Sequence, residues 1–98
     1  MTERHLLFSV TAKDCEISAF RAGGPGGQHQ NKVASAVRVV HRPSGAVGVS
    51  RTDRSQVINK RLAFKRMAES KEFQLWLRRR MAWLNEQMSP GYLKIEYD

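Results

Sequence analysis

The residues best suited to chemistry form one run, Arg21-Ala-Gly-Gly-Pro-Gly-Gly-Gln-His-Gln-Asn-Lys32. Four of the chain's seven glycines lie in it: Gly23, Gly24, Gly26 and Gly27. Glycine adopts positive φ without a Cβ penalty and lets another backbone come close. Pro25 fixes one φ and removes one donor. Such a run is neither helix nor strand. Gln28 closes it with a neutral side chain that both donates and accepts. A shaped main-chain loop carrying one amide at its tip suits insertion into a tight, mostly nucleic-acid site.

Two familiar glycine loops are excluded. A phosphate loop needs Gly, four residues, then Gly-Lys-Ser/Thr, and no register here supplies it. A dinucleotide fingerprint started at Gly24 and Gly26 would need its third glycine where His29 stands. A Gly-Pro-Gly run alone ordinarily makes a surface turn; the Gln-His-Gln-Asn-Lys continuation sets this one apart. The single cysteine, Cys15, permits no intrachain disulfide and agrees with a reducing compartment. It is expected at the edge of the core, since a reactive thiol would need a specific partner. His5, His29 and His41 are scattered and give no metal-ligand spacing with it, so neither metal nor cofactor is implied.

The 98 residues carry a net charge of +8. Residues 51–80 hold ten Lys/Arg against three acids, whereas residues 81–98 are net acidic, with Glu86, Glu96 and Asp98. A basic middle third beside a glycine loop points to RNA rather than to a solvated helix face or a membrane-surface helix. No apolar run approaches the roughly 18–20 residues that span a bilayer. The N-terminus resembles neither a secretory signal nor a transit peptide. A cytoplasmic protein with no membrane partner is expected, folded as one domain over residues 1–98.

Stepping outward from the loop, Glu16 to Arg21 alternates as a short strand that delivers it. Leu6 to Val10 reads as a strand or packed arm, and Thr11 to Asp14 as a turn. Val33-Ala34-Ser35 suits one helical turn after the loop. Ala36–His41 and Ala46–Ser50 form a hairpin in which Val37 and Val39 are expected to face Val47 and Val49. Arg42-Pro43-Ser44-Gly45 fits a type I turn. Asp53 or Ser55 can cap a helix whose apolar stripe is Ile58, Leu62, Ala63 and Met67. Glu69-Ser70-Lys71 marks a break. A second amphipathic run carries Phe73, Trp76, Leu77, Met81, Leu84 and Met88, read as core rather than as a stacking platform for bases. Ser89-Pro90-Gly91 ends it, and Tyr92 to Tyr97 suits a short edge strand. The expected fold is α+β: a small sheet in the order β–loop–β–β–α, packed against a long helix, with an additional C-terminal helix.

Three blocks, in this order and spacing, resemble the catalytic, Gly-Gly-Gln domain of class I peptide-chain release factors. They are Gly26-Gly27-Gln28 with Arg21, Asn31 and Lys32 around it, Ser35 to Gly45, and Asp53 to Lys60. The likeness covers about residues 16–70, leaving 71–98 as a C-terminal helix and short tail. It implies hydrolysis of the peptidyl-tRNA ester at the peptidyl-transferase centre of the large ribosomal subunit. The Gln28 backbone N–H would stabilise the transition state or the departing ribose hydroxyl, an effect worth roughly 10²–10³ in rate for one donor in other hydrolases. The Gln28 side chain would shape the pocket for water, and its amide is the position methylated in that family. Gly26 and Gly27 would set the loop's path. His29 has a pKa suited to a general base, but its expected place is against rRNA or the following turn. Asn31 and Lys32 resemble residues that hold the loop against rRNA. Arg54, Gln56, Asn59 and Lys60 would meet RNA phosphates or support the loop from below. Arg21 and Arg51 join the RNA-binding set, although for Arg51, as for Arg38, ordinary strand-surface charge is the other reading.

Full-length release factors add a codon-reading domain and a helical domain, for which these 98 residues offer no room. The size resembles small rescue hydrolases that free peptides from stalled ribosomes without reading a codon. Many of those end in a basic tail, whereas the last eighteen residues here are net acidic. Recruitment by a protein partner, or action on a split large subunit, is expected instead. Two alternatives stay open: a non-catalytic ribosome- or RNA-binding module, and a termination factor with a separate decoding partner.

Overall fold

The structure is a computed structural model and describes residues 6–21, 35–88 and 91–98. Its elements follow the order β1 (Leu6–Val10), a 3₁₀ turn (Ala12–Asp14), β2 (Glu16–Phe20), β3 (Ala36–His41), β4 (Ala46–Ser50), α1 (Gln56–Glu69), α2 (Lys71–Gln87) and β5 (Tyr92–Ile95). Strands β2, β3 and β4 form an antiparallel sheet in that order. The β5 strand pairs in parallel with β1, in a second sheet of two strands. The fold is α+β, with α1 lying against β3 and β4.

Local chemistry accounts for the joints. Thr11 and Asp14 make a capping box around the 3₁₀ turn: the Thr11 amide donates to Asp14 Oδ2 at 2.8 Å, and Thr11 Oγ1 accepts from the Lys13 amide. At the β3–β4 turn the Gly45 amide donates to the carbonyls of His41 (2.9 Å) and Arg42 (3.1 Å). Gly45 stands at φ +75, a conformation that costs glycine little. Ser55 caps α1, accepting from the Ile58 amide. Ser70 serves two helices: its hydroxyl donates to the last turn of α1 at Met67 O and accepts from the Phe73 amide in the first turn of α2. One cap residue therefore replaces a loop between them.

The hairpin register departs from the expected pairing. Val37 opposes Ser50 and Val39 opposes Gly48, whereas Val47 and Val49 oppose Val40 and Arg38. The four-residue turn places Ala46, Gly48 and Ser50, all small and all buried, on the face shared with Val37 and Val39. Small residues are needed there because α1 crosses β4 at backbone distance. A Cβ on Gly48 would overlap the Ala63 carbonyl oxygen and the Met67 amide, both backbone atoms.

The α1 stripe is shifted from the expected one. Asn59, Ala63, Phe64 and Met67 face the sheet, while Ile58 is 45% exposed. The core is Val10, Val37, Val39, Ala46, Ala63, Phe64, Met67 and Phe73, with Phe8, Trp76, Leu77, Ile95 and Tyr97 packed around it. Phe73 and Trp76 are core as expected, standing edge-on to the buried His41 ring at 5.2 and 4.7 Å. The Met88 end of the second stripe is exposed. The expected turn at Val33 and Ala34 and the stop at Ser89-Pro90 lie outside the described residues.

Candidate functional site

Register alone brings most of the expected basic residues to one end of the sheet. Phe20 pairs with Ala36, so the chain leaves β2 and re-enters at β3 on adjacent strands. Ser50 pairs with Val37, so β4 finishes at the same end, and α1 begins there after a short connection. Arg21, Arg51, Arg54 and Gln56 therefore flank the root of the glycine loop, with Lys60 one turn further along α1. All but Lys60 are exposed. The four cations among them make no ion pair with any described acid, and Arg54 is not paired with Asp53. Gly26, Gly27, Gln28, His29, Asn31 and Lys32 lie outside the described residues.

Asn59 organises this end. It is wholly buried, and its amide uses all four of its hydrogen-bonding positions. Its Nδ2 donates to the carbonyls of Ser35 and Asp53, both at 2.8 Å. Its Oδ1 accepts from the Ser50 hydroxyl at 2.8 Å and from the Asp53 amide at 3.2 Å. One side chain thus ties the start of β3, the end of β4 and the approach to α1 together. This corrects one of the two roles expected of Asn59. With no exposed surface and no spare donor or acceptor it does not contact RNA; it supports the loop root from beneath. Asp53 contributes in the same way, its Oδ1 accepting from the Ser55 amide. The sequence reading gave Ser35, Ser50 and Asp53 places in a turn, a strand and a helix cap, but no part in holding the loop root. The available signal was an asparagine on the i, i+4 stripe with Ala63 and Met67, where a polar residue must carry its own partners inward.

The described side chains with nucleophile or base chemistry sit elsewhere. Cys15 precedes β2 and His41 ends β3, both at the end of the sheet remote from Phe20 and Ala36. Burial, aided by Asp14, pushes the Cys15 thiol up to about 11, and its Sγ donates to Thr11 O. Its edge-of-core place is as expected. His41 bonds Ser44 Oγ through Nδ1 at 2.7 Å, and burial holds its pKa down. Among the described residues no group of His, Cys, Asp and Glu could hold a metal ion, and no helix is long and apolar enough to cross a membrane.

An anchored loop root ringed by unpaired cations is thus what the described residues provide around the glycine run. Comparison with known proteins gives that arrangement a family. The RF-1 domain family matches residues 3–82. A peptide chain release factor 2 from Nautilia profundicola is 51% identical over 73 residues, covering 74% of this chain and 20% of that protein. Another from Rickettsia africae is 42% identical over 83 residues, covering 85% of this chain and 22% of that protein. Among solved structures, RF2 of Thermus thermophilus matches with a TM-score of 0.52 and 33% identity, over 86% of this chain and 27% of that one. The chain spans about a fifth of the length of the curated relatives it matches. On the match to most of its length, on these identities and on the shared fold, the chain belongs to the RF-1 domain family.

Proposed function

We propose that this chain hydrolyses the ester between a nascent peptide and tRNA on the large ribosomal subunit, without reading a codon, in the rescue of stalled or split ribosomes. The observation that carries the reading is the family match over residues 3–82, which spans Gly26-Gly27-Gln28 and the Asn59-anchored root from which that loop departs. The 98 residues act as one catalytic unit in the cytoplasm. The Gln28 backbone N–H supplies the charge-stabilising donor, and its side chain, a candidate for amide methylation, admits water. Arg21, His29, Asn31, Lys32, Arg51, Arg54, Gln56 and Lys60 bind rRNA around it. No cofactor is required, and a protein partner supplies recruitment.

The test is release of labelled peptide from ribosomes stalled without a stop codon. Native protein releases it, Gln28→Ala binds the ribosome but releases slowly, and Gly27→Ala is slower still. Equal release by native and Gln28→Ala proteins would leave a non-catalytic RNA-binding module. A second reading, termination with a separate decoding partner, is favoured by the relatives themselves, which are named peptide chain release factors and of which this chain matches a fifth. Release seen only with a stop codon in the A site would select it.

A further inference from the structure

We infer that α2 carries a second RNA-binding surface, distinct from the loop root: a stripe of Leu75, Arg79 and Trp83, flanked by Arg78 and Arg80, that takes unpaired nucleotides. Positions 75, 79 and 83 recur every four residues and so share one helix face, each about 6 Å along the axis from the last. That face is left uncovered: Leu75 is 48% and Trp83 51% exposed. Arg78, Arg79 and Arg80 are exposed as well, and none forms an ion pair with a described residue. The Arg80 guanidinium stands 5.4 Å from the Trp83 ring centroid, and even so Trp83 is 51% exposed. The stripe ends in an open cleft of about 230 Å³ lined by Glu72, Leu75, Trp76 and Arg79 on α2 and by Pro43 and Ser44 of the β3–β4 turn.

The charge decides the occupant. Three arginines consecutive in the chain, none in an ion pair with a described residue, outweigh the single carboxylate of Glu72 in the cleft and call for a polyanion, and the half-exposed Trp83 beside Arg80 selects one with flat bases to stack. Unpaired RNA offers both, the phosphates to the arginines and a base to Trp83. An acidic protein or a lipid surface satisfies the charge and leaves the indole face unused. The β3–β4 turn that walls the cleft is at the end of the sheet opposite Phe20 and Ala36. This surface therefore engages a stretch of RNA other than the one at the loop. The inference rests on the RNA-binding part of the proposed function and not on hydrolysis.

The experiment uses the full chain labelled with 5-fluorotryptophan, its two ¹⁹F resonances assigned with Trp83→Phe, and titrated with a short unstructured single-stranded RNA. The Trp83 resonance is expected to move on binding by more than that of Trp76, which is half-buried and lines only the end of the cleft. Trp83→Ala should weaken binding by between about fivefold and a hundredfold, the range for loss of one stacked base. Arg79→Gln should lower the slope of log affinity against log salt by about 0.7. Gln28→Ala should leave the Trp83 shift intact, so loss of release and loss of this contact are read separately. RNA binding that leaves the Trp83 resonance in place would overturn the inference. So would an equal shift with heparin together with native RNA affinity in Trp83→Ala, or a shift with anionic lipid vesicles and none with RNA.

Discussion

Asn59 shows how one residue can hold a site without entering it. Its amide satisfies four groups from three segments, and if it is truncated the Ser50 hydroxyl keeps only its bond to Thr52 Oγ1 while the Ser35 carbonyl and the Asp53 amide and carbonyl lose the bonds it made. Each buried group left unsatisfied costs about 1–3 kcal/mol, so Asn59→Ala should lose at least about 3 kcal/mol. The check is a lowered urea midpoint with unchanged slope. His41 makes the opposite case, a titratable group spent on packing. Burial holds its pKa below the ordinary 6.5, with Asp14 acting weakly the other way. As pH falls, the unfolded chain takes up a proton before the folded chain does. The stability this group contributes is therefore complete above pH 6.5 and is lost as pH drops toward its lowered folded value. Urea midpoints measured downward from neutral pH should fall, and His41→Gln should remove that part of the fall.

At the scale of elements, the decisive contact is α1 on β4. The sheet accepts the helix at backbone distance because Ala46, Gly48 and Ser50 present almost no side chain. Gly48→Ala puts a carbon where the Ala63 carbonyl and the Met67 amide already are, and 3.0 Å from Met67 Cα. Helix backbone cannot rotate aside as a side chain can. Overpacking of this kind costs about 1–3 kcal/mol, or roughly 5–20 °C in Tm for a domain of this size. A thermal melt of Gly48→Ala at the native Tm would contradict the packing described. The same contact has a functional side. It sets the height of the first turn of α1, and hence of Asn59, over the end of the sheet where Phe20 and Ala36 pair.

For the whole molecule the governing quantity is where its charge lies. The +8 is carried largely by residues 51–80, and the fold sets two groups of these cations apart. Arg51, Arg54 and Lys60 stand with Arg21 at the loop root, while Arg78, Arg79 and Arg80 stand on α2. Binding to ribosomal RNA should therefore weaken steeply with salt. Replacing Arg21, Arg51 or Arg54 singly by Gln should reduce the slope by about 0.7–0.9 for each lost phosphate contact. Replacing Glu96, at the opposite sign, should leave it unreduced. Binding titrations at several salt concentrations check both.

What local chemistry dictates was legible in the amino acids by themselves. The hairpin limits followed from alternation and from Pro43 and Gly45, the α1 start from the choice of Asp53 or Ser55 as cap, and the helix break from Glu69-Ser70-Lys71; the structure chose Ser55 and Ser70. The family blocks could be read for the same reason, since they are short and ordered along the chain. Which residues face one another was not legible, because a turn that shifts strand register by one residue swaps every side chain to the other face. Only the folded chain decided that Val37 and Val39 lie opposite Ser50 and Gly48. It also turned Ile58 outward, Asn59 inward and Trp83 toward solvent. Burial is a property of the partner element as much as of the residue. For Asn59 those partners lie on segments 6, 9 and 24 residues away, a distance that no local pattern spans.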